Sequence, residues 1–266
     1  MPYERCNGAD LFYRDAGEGV PLVFLHGVMA SHRFFESQLT GLSAAYRTVA
    51  FDFRGHGRSE KTDLGHTVAQ YARDLHAFLD HLDLEDVVLV GWSMGALVSW
   101  DYVDQFGTNS IRALVDVDME ASRFQWDDYD YGITDIDGLK ATLSLVQQDR
   151  SSLIDRATEQ GFAKPPADET RTLQFDELSR TPAPIKSAIL FDALTRDYRD
   201  VLPGIDVPVL VCAGADEKRG TVASVRNVAN MVPDSRFVRF EDSGHCPTVE
   251  EPGRFNRELS EFIDSL

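Results

Sequence analysis

Val87-Val88-Leu89-Val90-Gly91-Trp92-Ser93-Met94-Gly95 is the stretch whose reading decides the fold. Val87 to Val90 is an apolar, mostly β-branched run, too short for a helix and suited to a buried strand. Gly91 ends it, and Ala96 to Phe106 reads as a helix. A chain that passes from strand to helix in so few residues must turn sharply. The residue at the apex, Ser93, is then held in a strained conformation with its hydroxyl exposed, and glycines two residues away on either side avoid side-chain clashes. The helix that follows points its N-terminus at that hydroxyl and favours negative charge developing there.

Outward from this turn, strand-like and helix-like segments alternate. Val20 to Leu25 is an apolar run ending at His26-Gly27, and Thr48 to Phe51 another ending at Asp52. Tyr71, Leu75, Phe78, Leu79 and Leu82 recur near helical spacing between about Val68 and Leu82. Ile111 to Val117, Val207 to Ala213 and Phe237 to Phe240 read as further strands. Arg254 to Leu266 reads as an amphipathic helix with Phe255, Leu259 and Phe262 on one side. Such alternation implies a mainly parallel sheet with helices on both faces, an α/β fold. Functional groups in these sheets gather at the carboxyl ends of the strands. His26, Asp52, Ser93, Asp118 and Asp216 all fall there. From Ser122 to Val201 the alternation stops, with breaks at Lys164-Pro165-Pro166 and Thr181-Pro182-Ala183-Pro184. The expected organisation is a core of residues 1–121 and 202–266, with residues 122–201 forming a helical lid.

The 266 residues carry 44 acidic and 26 basic side chains, a formal net charge of −18. Such a surface repels nucleic acid and anionic membranes, so neither is expected as a partner. Only five of the basic residues are lysine. That composition fits a salt-adapted protein or a moderately acidic mesophilic one. No apolar stretch approaches the length of a membrane span, and no secretory pattern opens the chain. The three cysteines, Cys6, Cys212 and Cys246, cannot all pair with one another and match no zinc spacing; a reduced cytoplasm is the simplest location. No dinucleotide fingerprint or metal motif is present, so no cofactor is expected.

Four segments, His26-Gly27-Val28-Met29, Asp52-Phe53-Arg54-Gly55-His56-Gly57-Arg58-Ser59, the Ser93 turn and Asp242-Ser243-Gly244-His245, stand in an order that resembles the α/β-hydrolase family. The resemblance runs from about Gly8 to the C-terminal helix. It implies Ser93 as nucleophile, His245 as its base, and the backbone N–H groups of Val28 and Met94 as an oxyanion hole. It implies a structural role for the segment from Asp52 to Ser59. The acid partner of His245 is open at this level. The family usually places it after the strand read at Val207 to Ala213, where the chain continues Gly214-Ala215-Asp216-Glu217. Aspartate is commoner there, which favours Asp216 over Glu217. Some relatives carry it one strand earlier, at Asp118. Met29 and the aromatic Trp126 are candidates for lining the substrate site. Asp127, Asp128 and Asp130 near its mouth would disfavour anions and argue for neutral esters.

The activity this implies is that of a carboxylesterase acting on small to medium acyl esters. The same groups serve lactonases, including those for acyl-homoserine lactones, and cofactor-free haloperoxidases or perhydrolases. A non-enzymatic binding protein of this fold is a further alternative, disfavoured because Ser93 and His245 are both present. Dehalogenases and epoxide hydrolases of the fold use an aspartate where this chain has Ser93.

Overall fold

No strand is expected before Val20, yet the chain opens with a hairpin. In the computed structural model, which describes residues 2–148 and 150–266, β1 (Tyr3–Cys6) pairs antiparallel with β2 (Ala9–Ala16). Asn7 and Gly8 join them, both at positive φ (48° and 83°), as a two-residue hairpin turn of this hand requires. Asn-Gly was the signal available in the sequence. The strands themselves carry charged, exposed positions and lack a clean apolar run.

Six parallel strands follow: β3 (Pro21–Leu25), β4 (Arg47–Phe51), β5 (Val87–Trp92), β6 (Ile111–Val117), β7 (Val209–Gly214) and β8 (Ser235–Phe240). The sheet order is β1-β2-β4-β3-β5-β6-β7-β8. From β3 the chain moves outward to β4, then returns to the other side of β3 as β5. The order therefore reverses between β3 and β5, and the crevice at their carboxyl ends is where such sheets bind ligands.

Helices α1 (Glu36–Leu42), α2 (Val68–His81) and α3 (Met94–Phe106) alternate with the early strands. Four more lie between β6 and β7: α4 (Ile136–Gln148), α5 (Arg150–Gly161), α6 (Asp168–Arg180) and α7 (Ala183–Thr195). After β7 come α8 (Val222–Met231), α9 (Pro247–Glu250) and α10 (Pro252–Ile263). Successive side chains of a strand point to opposite faces, so each inner strand feeds two cores. Val87 and Leu89 pack with Phe78 and Trp100 of α2 and α3, whereas Val88 and Val90 pack with Phe35 and with Phe255 and Phe262 of α10. No helix of the described residues is long and apolar enough to cross a membrane.

Two boundaries matter for the site. The strand read as ending at Gly91 continues to Trp92, and the helix read from Ala96 begins at Met94, so Ser93 alone makes the turn. This compression depends on glycine. A Cβ on Gly95 would lie 2.0 Å from the Leu25 carbonyl oxygen, and one on Gly91 would lie 2.5 Å from the Gly95 carbonyl carbon. The Gly95→Ala variant is therefore expected to lose about 1–3 kcal/mol of stability through overpacking. Urea unfolding reads this directly, and an unchanged midpoint would show that α3 can withdraw from β3 without cost.

Candidate active site

The parallel ladder continues past the ends of the strands and carries the candidate residues with it. Ser93 N–H donates to Val117 O (2.8 Å), Asp118 N–H to Cys212 O (2.9 Å), Ala215 N–H to Phe240 O (2.8 Å) and Asp216 N–H to Ser243 O (3.0 Å). The segments holding Ser93, Asp118, Glu217 and His245 are thus bonded side by side. Ser93 sits at φ 54°, ψ −119°, and Asp118 (φ 57°) and Met29 (φ 62°) are also at positive φ. Non-glycine residues in this region are strained by roughly 1–3 kcal/mol each. Here they stand at the ends of three neighbouring strands.

His245 is buried and held from three directions. Trp92, the residue before Ser93, donates its indole N–H to the His245 carbonyl at 2.6 Å. Glu250 accepts from Gly244 N–H (2.8 Å) and Ala163 N–H (2.7 Å), and Glu251 accepts from Asp242 N–H (3.0 Å) and the Ser243 hydroxyl (2.7 Å). A Cβ on Gly214 would lie 1.9 Å from Gly244 O, so that glycine lets the His245 loop close over β7. Trp92, Glu250 and Glu251 escape the sequence reading because Trp92 fills a position that the G-x-S-x-G pattern leaves open and the two acids belong to no motif.

The acid preferred from sequence is not the one that reaches the histidine. Asp216 is tied by its backbone to Ser243, its side chain is 59% exposed, and its carboxylate lies 3.7 Å from Lys218 Nζ. The next side chain along, Glu217, turns inward. Its Oε2 lies 3.1 Å from His245 Nδ1, and Asp118 Oδ2 lies 3.2 Å from the same nitrogen. Two buried carboxylates therefore converge on one N–H. They fix the proton on Nδ1, which leaves Nε2 as the acceptor, and Nε2 has no hydrogen-bond partner among the described residues.

These charges act on one another. Burial pushes Asp118 well above the usual carboxylate range, and the charge of Glu217 pushes it further. Burial raises Glu217 too, but the charge of His245 and the hydrogen bonds it accepts outweigh this and hold it well below its ordinary value. The two carboxyls shift in opposite directions, because each disfavours a second negative charge beside it. Burial also depresses His245, only partly offset by Glu217. Asp118, Glu217 and His245 also form the group among the described residues whose ligand atoms lie close enough to hold a metal ion.

The Asp52 to Ser59 segment braces the loop after β3 that carries Val28 and Met29. Asp52 Oδ1 accepts from the His32 N–H (2.7 Å) and ring (2.8 Å), its Oδ2 accepts from Arg58 N–H (2.8 Å), and Gly57 leaves room for it. His32 is buried in this contact. His26 Nε2 accepts from Phe53 N–H (3.1 Å); burial brings its pKa down to about 4, so it stays neutral.

Ser93 opens into a cavity of about 320 Å³ together with Val28, Met29 and Met94. Met94 N–H, at the first turn of α3, has no intrahelical acceptor. Leu145, Leu153 and Leu190 bring α4, α5 and α7 to the cavity as well. Trp126 is not there. It is 38% exposed, its indole donates to the Ser122 hydroxyl at 2.9 Å, and it borders a separate surface hollow with Asp127 and Asp130. The acids expected at the mouth therefore face solvent. The charged residues that do line the cavity are Arg123, Arg156, Lys218 and Arg219.

Fold and site together define an α/β hydrolase, and the chain belongs to that family: residues 22–258 match the model described as "Alpha/beta hydrolase family". Among its relatives is a non-heme chloroperoxidase of Kitasatospora aureofaciens, 31% identical, with 97% of each chain covered. Among solved structures it is similar to an esterase from Exiguobacterium antarcticum (TM-score 0.94, 26% identity, 98% of each chain). It is also similar to a bromoperoxidase from Bacillus anthracis (TM-score 0.92, 25% identity, 96% of each chain).

A depressed His245 keeps its ring neutral, and so able to accept a proton, to lower pH than an ordinary histidine. In an NMR titration its midpoint is expected below the ordinary 6.5. Because Glu217 favours the protonated ring, Glu217→Gln should move the midpoint further down. An upward move would mean that Glu217 does not favour the protonated ring.

Proposed function

We propose that the protein is a serine carboxylesterase with Ser93 as nucleophile, His245 as base and the Asp118–Glu217 pair as its acid. What supports this is the convergence of two buried carboxylates on His245 Nδ1, which leaves Nε2 without a partner among the described residues, together with a strained serine that faces the cavity. In this reading His245 Nε2 takes the Ser93 proton as Oγ attacks the ester carbonyl. The N–H groups of Val28 and Met94 hold the oxyanion, with the N-terminus of α3 adding its positive end. His245 then gives the proton to the departing alkoxide, leaving an acyl-Ser93. Water, deprotonated by the same nitrogen, releases the acid and restores the hydroxyl. The helices between β6 and β7 act as a lid over the acyl and alcohol portions.

A second reading uses the same acyl-enzyme and is supported by the chloroperoxidase relative at 31% identity. Hydrogen peroxide replaces water, attacks the acyl carbon, and leaves as a peracid while Ser93 recovers its proton. The two differ only in the acceptor, so peracid yield against acid yield at increasing peroxide separates them.

A fluorophosphonate should label the folded protein once, on Ser93, and Ser93→Ala should abolish both labelling and turnover of p-nitrophenyl butyrate. Absence of an adduct on Ser93 would sink the serine mechanism, and turnover of a lactone but of no short-chain ester would sink the esterase assignment. For the acid, Asp118→Asn and Glu217→Gln should each lower kcat by roughly 10- to 100-fold. In each, the remaining carboxylate still orients His245. The double variant should fall by about 10⁴-fold, as when the tautomer is lost. A single variant as inactive as the double would assign the role to one carboxylate.

A further inference from the structure

The chain has far more acids than bases, 44 against 26, yet the lining of the Ser93 cavity reverses this. Arg123, Arg156, Lys218 and Arg219 line it, and no acidic residue does among the described ones. Part of this positive charge is already spoken for. Arg123 Nη1 lies 3.5 Å from Glu120 Oε2, and its Nη2 donates to Arg219 O at 3.0 Å. Lys218 Nζ is turned to the end of α5, donating to Phe162 O (2.7 Å) and Ala163 O (2.9 Å). The other two are not matched. Arg219 donates from Nη2 to Ala157 O at 3.2 Å, its Nε has no partner, and no carboxylate of the described residues lies within 4.0 Å of its guanidinium. The hydrogen bond from Arg219 to Glu217 is made by its backbone N–H. Arg156, next to Ala157 on α5, also has no ion pair among the described residues. Two guanidinium groups, one from the loop after β7 and one from α5, thus border the same cavity with no carboxylate of the described residues within 4.0 Å, although Arg219 feels the more distant charges of Glu217 and Asp118.

We infer that the substrate of this site is an anionic ester, one whose free carboxylate is bound by Arg219 and Arg156 while its ester group lies at Ser93. Guanidinium groups present paired N–H donors that match a carboxylate, and a partly enclosed cavity strengthens that contact over its value in water. A half-ester of a short dicarboxylic acid has this form: one end neutral and cleavable, the other charged. The apolar side chains of Leu145, Leu153 and Leu190 would cover the methylenes between. This rests on the serine esterase reading for the position of the cleaved bond, and not for the charge preference itself.

The Ser93→Ala protein separates the two. Calorimetric titration with monomethyl glutarate and with dimethyl glutarate measures the anion site without turnover. The half-ester is expected to bind about tenfold tighter or better, the scale of a charge-assisted contact. Arg219→Gln and Arg156→Gln in the same background should each cut that preference by several-fold. Arg156 is exposed, so its replacement leaves the fold intact even if that of Arg219 does not. Equal binding of the two esters, or a preference unmoved by both variants, would overturn the inference. Hydrolysis of both esters by the parent protein with no preference in binding would overturn it while leaving the esterase reading standing. A binding preference without hydrolysis by the parent would do the reverse.

Discussion

The site depends on how closely backbone approaches backbone where β3, β5 and α3 meet. Gly91 and Gly95 have no room for a side chain, and their contacts with each other and with Leu25 pin the start of α3 to the sheet. With both ends of the turn pinned, Ser93 has one conformation that connects them, and it is a strained one. Strain of this kind persists only where surrounding structure over-determines it. Fully buried β5 on one side and the apolar face of α3 on the other provide that. The hydroxyl's exposure to the cavity is thus a consequence of packing elsewhere, and so is the position of Met94 N–H, which must follow directly.

The same ladder of strand ends explains why the electrostatics are unusual. Each parallel strand delivers the next candidate group one step along the sheet, and here both β6 and β7 deliver a carboxylate. Two buried acids against one imidazole could not both be ionised at low cost. Of the two, Glu217 has His245 and the Arg219 backbone N–H to favour its ionised form, and its pKa is lowered. Asp118 is the more deeply buried of the two, and burial together with the charge of Glu217 raises its pKa. Lys218 and Arg219 then tie the Glu217 loop to the end of α5, so the acid's position is coupled to the helices over the cavity.

How much of this was legible in the sequence follows from the range over which each signal acts. Ser93 and His245 could be singled out as candidates because each sits in a short motif bounded by glycine, and local backbone demands show locally. The mainly parallel sheet was legible from runs such as Val87 to Val90, whose length and branching exclude other readings. The acid was not. Asp216 and Glu217 are neighbours, and which of them turns inward is settled by the bond from Asp216 N–H to Ser243 O, formed with a segment some thirty residues away. Trp126 misled for a related reason: an aromatic cluster has no periodicity to say which way it faces, and the indole found Ser122. The four cations came from three separate stretches that share nothing until folded.

Those cations change what the overall charge means. A net charge of −18 suggests a protein that repels anions, and at long range it does. At physiological salt, however, exposed charges are screened beyond roughly 8 Å, while groups partly withdrawn from water are screened less. The choice of substrate is made at the closest range, where Arg219 and Arg156 stand at the cavity and the acids of residues 127–130 are turned to solvent. An acidic exterior and a cationic interior are then compatible. The exterior governs solubility and the encounter with macromolecules, whereas the interior governs which small molecule stays long enough to meet Ser93.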